Sequence, residues 1–197
     1  MGVAALVLVV MVAASLAGLF VSPRIIEQSL FRPYWFLRRR QYETIVTSGF
    51  VHADLAHLLF NAFTFYFFAF QVERQVGSAR FAALYLFGLV ASDLGTWYKH
   101  RNDPDYASLG ASGAISAVLF ASIVYFPWQK LIIFPVPIPI PAPFFAIGYV
   151  AYSWYAGRQA RGRINHDAHL GGALAGLAFV LVTDPGAYSQ FLHTLGA

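Results

Sequence analysis

Cysteine is absent from this chain and charge is scarce. Without a thiol there is no disulfide, no thiolate metal site and no cysteine nucleophile. Only 11% of the 197 residues are charged, whereas soluble domains are about a quarter charged. With 58% hydrophobic residues and a mean hydropathy of +0.59, the chain does not have water as its main solvent. A continuous basic stripe is lacking as well. The net charge of +4 comes from Lys and Arg scattered in short segments between apolar windows, which excludes nucleic acid and makes anionic lipid headgroups the expected neighbours. No Lys or Arg precedes the first apolar window, so it reads as an uncleaved helix rather than a secretory leader.

What is present is a series of windows long enough to cross a bilayer, which takes about 20 residues. Residues 3–22, 55–72, 106–129 and 131–157 carry no charge; 81–98 carry only Asp93, and 168–183 form a shorter sixth window. The expectation is therefore an all-α membrane protein, a six-transmembrane-helix bundle forming a single domain over residues 1–197. Trp97, Trp128 and Trp154 fall near window ends, as interfacial aromatics do. Residues 23–54 hold five arginines with Tyr34, Trp35 and Phe36, a mixture suited to the headgroup layer. In residues 134–143 proline alternates with mostly apolar side chains, which forbids a helix and predicts an extended, rigid linker into the fifth span.

If every window crosses, the second, fourth and sixth helices start on one face of the membrane, and the distinctive polar residues lie at those starts. The second opens on His52, His57 and Asn61, the last two at i and i+4 on one face. The fourth opens with Gly110, Ala111, Ser112 and Gly113, and the sixth with His166, Asp167, Ala168, His169, Leu170, Gly171 and Gly172. Small residues recur every fourth position at Gly113, Ala117 and Ala121, and again at Ala168, Gly172 and Gly176. Such stripes let helix backbones approach closely, and docking them would bring Ser112 toward His169 at similar depth. A serine hydroxyl needs a positioned base, and imidazole is the side chain matched to that role near neutral pH. The oxyanion formed in acyl transfer then needs donors, which the Ser112 amide, His57 and Asn61 can offer.

These motifs resemble the rhomboid family of intramembrane serine proteases, over nearly the whole chain. The resemblance implies a six-helix bundle, Ser112 as nucleophile, and His169 as general base and acid in a dyad without an acidic third member. It further implies His57, Asn61 and the Ser112 backbone NH as oxyanion donors, with Gly110 beside them in the substrate-binding group. His52, His166, Gly113 and Gly172 are expected to support this set. Substrates would be transmembrane segments of other membrane proteins, no cofactor or metal would be needed, and the chain would be a multi-pass protein of the cell membrane. Two positions depart from the family pattern. Many relatives carry a His169-stacking aromatic residue four positions after the nucleophile, where this chain has Ser116, so what orients His169 stays open. Many also carry a Trp-Arg pair in the first loop, near where Tyr42 and Glu43 stand.

Three other functions compete with proteolysis. Metal hydrolysis lacks a His-Glu-x-x-His motif. A rhomboid-like protein that holds transmembrane clients without cutting them would need neither Ser112 nor His169. A transporter would show an inverted pair of interrupted helices. Orientation is open: ten Lys and Arg on the face of the expected site against three opposite favour the cytoplasm by the charge rule, whereas the resemblance implies an outward-facing site.

Overall fold

The computed structural model describes residues 1–133, 136–159 and 165–196. Helix α1 (Val3–Phe20) is almost wholly apolar and has no side-chain cap of its own. Its first amides, of Val3 and Ala4, instead donate to the Glu73 carboxylate at 2.7 and 3.1 Å. Glu73 lies in the last turn of α5 (Leu55–Val76), so an anion from one helix complements the positive end of another. Gly77, at φ 82°, turns the chain directly into α6 (Ser78–His100); only glycine takes that conformation freely.

Between α1 and α5 the arginine- and aromatic-rich segment folds into three short helices, α2 (Pro23–Ser29), α3 (Pro33–Arg38) and α4 (Thr44–Thr47), and a 3-10 turn (Ser48–Phe50). The Arg38 guanidinium covers the Tyr34 ring and Arg39 covers Trp35, at 3.9 and 3.8 Å from the ring centroids, pairings suited to a headgroup layer. A two-way backbone pairing between Phe31 and Ser108 stitches this segment to the loop that precedes α7 (Ser112–Tyr125).

Helix α7 is the centre of the molecule. Every residue from Gly113 to Val124 is buried, and α5, α6 and α9 (His166–Thr183) pack around it. At 14 residues it is about 21 Å long, short of the roughly 30 Å hydrocarbon layer, and it occupies only the middle of the expected 106–129 window. The outer helices show apolar side chains to their surroundings, among them Leu59, Phe63 and Phe67 on α5 and Phe144 and Ile147 on α8 (Ala142–Gln159). Such surfaces suit hydrocarbon. Among the described residues three helices, α1, α5 and α9, are both long and apolar enough to cross a membrane.

The proline-rich segment differs from the expected bare linker. Val136–Pro141 forms strand β2, which pairs antiparallel with β1 (Lys130–Ile133) in a hairpin; residues 134 and 135 lie outside the described set. Alternation is compatible with this: Ala142 N donates to Gln129 O at 3.0 Å, so by the period of two the amides that flank Pro141 turn toward the partner strand while the missing donors of Pro139 and Pro141 fall on the other edge. The fifth expected span accordingly becomes helical only from Ala142, after the extended approach that the prolines predict. After α9 a further helix, α10 (Pro185–Leu195), folds back so that Thr194 O accepts from Trp128 Nε1 at 3.1 Å.

Candidate active site

Glycine positions fix how α7 and α9 meet. A Cβ on Gly172 would run into the backbone of Gly113, and one on Gly176 into the backbone of Ala117. The two small-residue stripes thus touch backbone to backbone, and since 113 faces 172 while 117 faces 176, the helices run parallel. A Cβ on Gly113 would lie 3.4 Å from Ala168 O, on the near side of the same contact. In this register Ser112 is level with residue 171, two positions past His169, so the two Cα atoms differ by about 3 Å along the helix axes. The same register sets Ser112 about 7 Å inward from the start of α9. Its side chain is half-buried, as is that of His169.

Local capping sets where each of the three polar helix starts falls. Asp54 caps α5 by accepting from His57 N at 2.8 Å, and Asn165 caps α9 by accepting from Ala168 N at 3.0 Å. Asn165 Nδ2 also donates to Thr96 Oγ1 at 3.0 Å, tying α9 to α6. A salt bridge adds to this tie: Lys99 Nζ reaches both carboxylate oxygens of Asp167, at 2.7 and 2.9 Å. Helix α7 differs, because Ala111 stands at its N-cap and provides no side-chain cap. The opening amides of α7, including that of Ser112, therefore form a donor-rich end that suits a developing anion.

Gly110, at φ 123°, turns the chain into α7, and a Cβ there would collide with the His57 ring, so its bareness lets the imidazole lie against the loop before Ser112. Gly110 N donates to Ser48 O at 2.9 Å. Asn61 is buried one turn beyond His57, and its Nδ2 donates to His57 O at 3.0 Å, which engages one of its two amide protons within its own helix.

His52 is fully buried behind these groups and edge-on to His57 at 4.8 Å. Ala111 N donates to His52 Nε2 at 3.4 Å, which makes that nitrogen the acceptor and assigns the proton to Nδ1. Nδ1 then donates to Ser15 Oγ at 3.0 Å, and Ser15 Oγ to Phe50 O at 3.4 Å. Burial, with His57 beside it, pushes the His52 pKa down to about 3, in keeping with this neutral ring. His166 is buried at the start of α9 with its ring edge-on to His169, centroids 5.8 Å apart.

A cavity of about 10 Å³, room for about one water, opens beside Ser112 and is lined also by Ser48, Ser92, Asp93, Ser108 and Asn165. Asp93 is buried in α6 and accepts from Ser48 Oγ at 3.1 Å, which ties α6 to the 3-10 turn before α5. Among the described residues no three His, Asp or Glu side chains gather as a metal-binding set. Three contributors were not singled out from sequence: Asn165, whose place before an apolar run marks it as a cap; Ser15, which has no such signal; and Tyr149 on α8, whose ring stacks on that of His169.

A helical membrane protein whose central helix begins, without a side-chain cap, at a serine that lies within about 3 Å of the level of a histidine on a parallel neighbour is the class that fold and site define. The chain belongs to the rhomboid family: the Rhomboid domain matches residues 39–185. It is 27% identical over 177 residues to RHOMBOID-like protein 12, mitochondrial, of Arabidopsis thaliana, covering 80% of this chain and 52% of that protein. It is 30% identical over 156 residues to Rhomboid protein 1, mitochondrial, of Saccharomyces cerevisiae, covering 76% and 45%. Over 72 residues, 36% of this chain and 35% of the relative, it is 39% identical to the Putative rhomboid protease YdcA of Bacillus subtilis. The chain spans about half the length of the first two relatives. Several relatives carry an organelle in their names, so the expected residence in the cell membrane gains no support from them, whereas residence in a membrane does.

Proposed function

We propose that this protein is an intramembrane serine endopeptidase that hydrolyses peptide bonds in or near transmembrane segments of other membrane proteins. Ser112 Oγ gives its proton to His169 as it attacks the scissile carbonyl carbon. The resulting oxyanion takes hydrogen bonds from the Ser112 amide, His57 and Asn61. His169 then returns the proton to the leaving amine, and water, deprotonated by the same imidazole, releases the acyl group from Ser112. A dyad suffices because the ring is held by packing rather than by a carboxylate.

The observation that carries this reading is the backbone contact between Gly113 and Gly172, which sets Ser112 and His169 level to within about 3 Å at the same end of two parallel helices. Membership of a family that includes a relative named as a protease supports it. With α1, α5, α6, α7, α8 and α9 read as six crossings, the recessed start of α7 supports hydrolysis below the membrane surface.

The test is incubation of purified protein in proteoliposomes with a transmembrane substrate, beside Ser112→Ala and His169→Ala. Cleavage by the parent and by neither variant is expected, with a fluorophosphonate labelling Ser112 in the parent. A folded parent that neither cuts nor labels would overturn the reading and favour a protein that holds clients without cutting them.

A further inference from the structure

We infer that Tyr149 on α8 is the residue that positions His169, and that Ser116 on α7 fixes Tyr149 for this purpose. The inference rests on the dyad proposed above and names what orients its base.

The Tyr149 ring lies nearly parallel to the His169 imidazole, at an interplanar angle of 20° and with centroids 6.1 Å apart. Its hydroxyl lies 2.8 Å from Ser116 Oγ. Ser116 is buried, and a buried hydroxyl of either kind is costly without a partner, so each satisfies the other. Two more rings confine Tyr149: Phe120 on α7 and Phe145 one turn earlier on α8, at centroid distances of 5.5 and 5.6 Å. The ring is therefore fixed at its edge, at its tip and over the imidazole.

Sequence spacing gives this arrangement its direction. Ser116 stands four residues after Ser112, one turn further along the same face of α7. The bond from Ser116 to Tyr149 thus refers the imidazole plane back to the helix that carries the nucleophile, through three helices in turn. Were Tyr149 only a filler for an apolar gap, phenylalanine would fill it without a hydroxyl to satisfy. In helix α8 Ala142 and Ser153 are the fully buried residues, so the stack and this hydrogen bond are among the points at which α8 is fastened to the bundle.

The experiment compares Tyr149→Leu, Tyr149→Phe, Ser116→Ala and the Tyr149→Phe/Ser116→Ala double variant in proteoliposomes. The readouts are kcat, KM, the pH profile of kcat/KM, the fluorophosphonate labelling rate of Ser112, and the ring resonances of His169 in histidine-labelled protein. Tyr149→Leu, which removes the ring, is expected to lower kcat and labelling rate by about tenfold or more with little change in KM, since small misplacements of a catalytic group are expensive. It is also expected to displace the acidic limb of the pH profile and to broaden the His169 resonances. Tyr149→Phe and Ser116→Ala each remove the same bond, so each loses about threefold and the double variant no more than either. Tyr149→Leu with parental kcat, pH profile and His169 resonances would overturn the inference while leaving the dyad intact. So would a loss explained by unfolding, read as a lowered melting temperature with a parental labelling rate in the folded fraction. A parent that neither cuts nor labels is the separate failure of the dyad itself.

Discussion

Gly113 and Gly172 meet backbone to backbone, with no room for a Cβ on Gly172. This contact sets the register of the central helix against α9 and so the relative height of Ser112 and His169. Neither side can retreat, because the obstructing atoms are backbone and α7 is enclosed on every side.

Gly172→Val is therefore expected to be severely destabilising, costing about 1–3 kcal/mol or more through overpacking, and to abolish labelling of Ser112 by forcing the helices apart. Gly95→Ala on α6, whose added methyl meets nothing within 4 Å, should retain the parental melting temperature or exceed it slightly, since alanine favours a helix. Thermal melting in detergent, followed by labelling of the folded fraction, checks both. A Gly172→Val protein that melts with the parent would show that the backbone contact does not set the register.

The proposed oxyanion donors differ in how committed they already are. His57 presents its ring beside Gly110, while Asn61 has one amide proton engaged with His57 O. His57→Ala is expected to lower kcat by about 10²–10³-fold, the usual loss for one such donor, with KM little changed. Asn61→Ala should lose less, because part of its hydrogen-bonding capacity serves its own helix. Steady-state cleavage of a transmembrane substrate measures the two, and parental kcat in His57→Ala would remove that residue from the oxyanion site.

Much of this geometry is legible in the sequence because it depends on residue type at fixed spacing. Gly113, Ala117, Gly172 and Gly176 declare a close helix contact by periodicity alone, and Ser112 and His169 follow as near neighbours of those stripes. The hairpin of β1 and β2 is not legible in the same way. Alternating proline announces extended backbone, but which strand pairs with it depends on Lys130–Ile133, whose apolar character reads equally well as the start of a span. Nor does the sequence mark Tyr149. It stands among other aromatics on α8 at no distinctive spacing, and only the packing of α8 against α7 and α9 selects it. The true length of α7 is hidden for a related reason: residues 106–111 are as uncharged as the helix itself, yet they form the loop that Gly110 turns.

Gly110 is required twice, by its positive φ and by the His57 ring lying where a side chain would go. Strain of this kind costs about 1–3 kcal/mol in backbone alone. Gly110→Ala should accordingly lower kcat by at least tenfold, through displacement of either His57 or the loop before Ser112, while most of the protein still folds. Single-turnover cleavage together with circular dichroism separates the two effects. Full activity in this variant would mean that the ring moves aside without consequence.

His52 gives the fold a dependence on pH with a definite sign. Buried between Ser15 and the Ala111 amide, it is held neutral, its pKa pushed down to about 3 from an ordinary value near 6.5. Between those values the unfolded chain binds a proton that the folded protein does not. Stability contributed by the neutral ring is therefore complete above about pH 6.5 and is lost progressively as pH falls toward 3, by an amount on the order of a few kcal/mol. Protonation would also place a second donor against the Ala111 amide, breaking the support behind the loop that leads into Ser112. His52→Gln keeps an acceptor and a donor but cannot titrate, so it should melt lower than the parent at pH 7.5 yet lose less of its melting temperature between pH 7 and pH 4. Melting curves of both proteins in the same detergent across that range provide the measurement. Parallel pH dependences would mean that the acid sensitivity of the fold arises from groups other than His52.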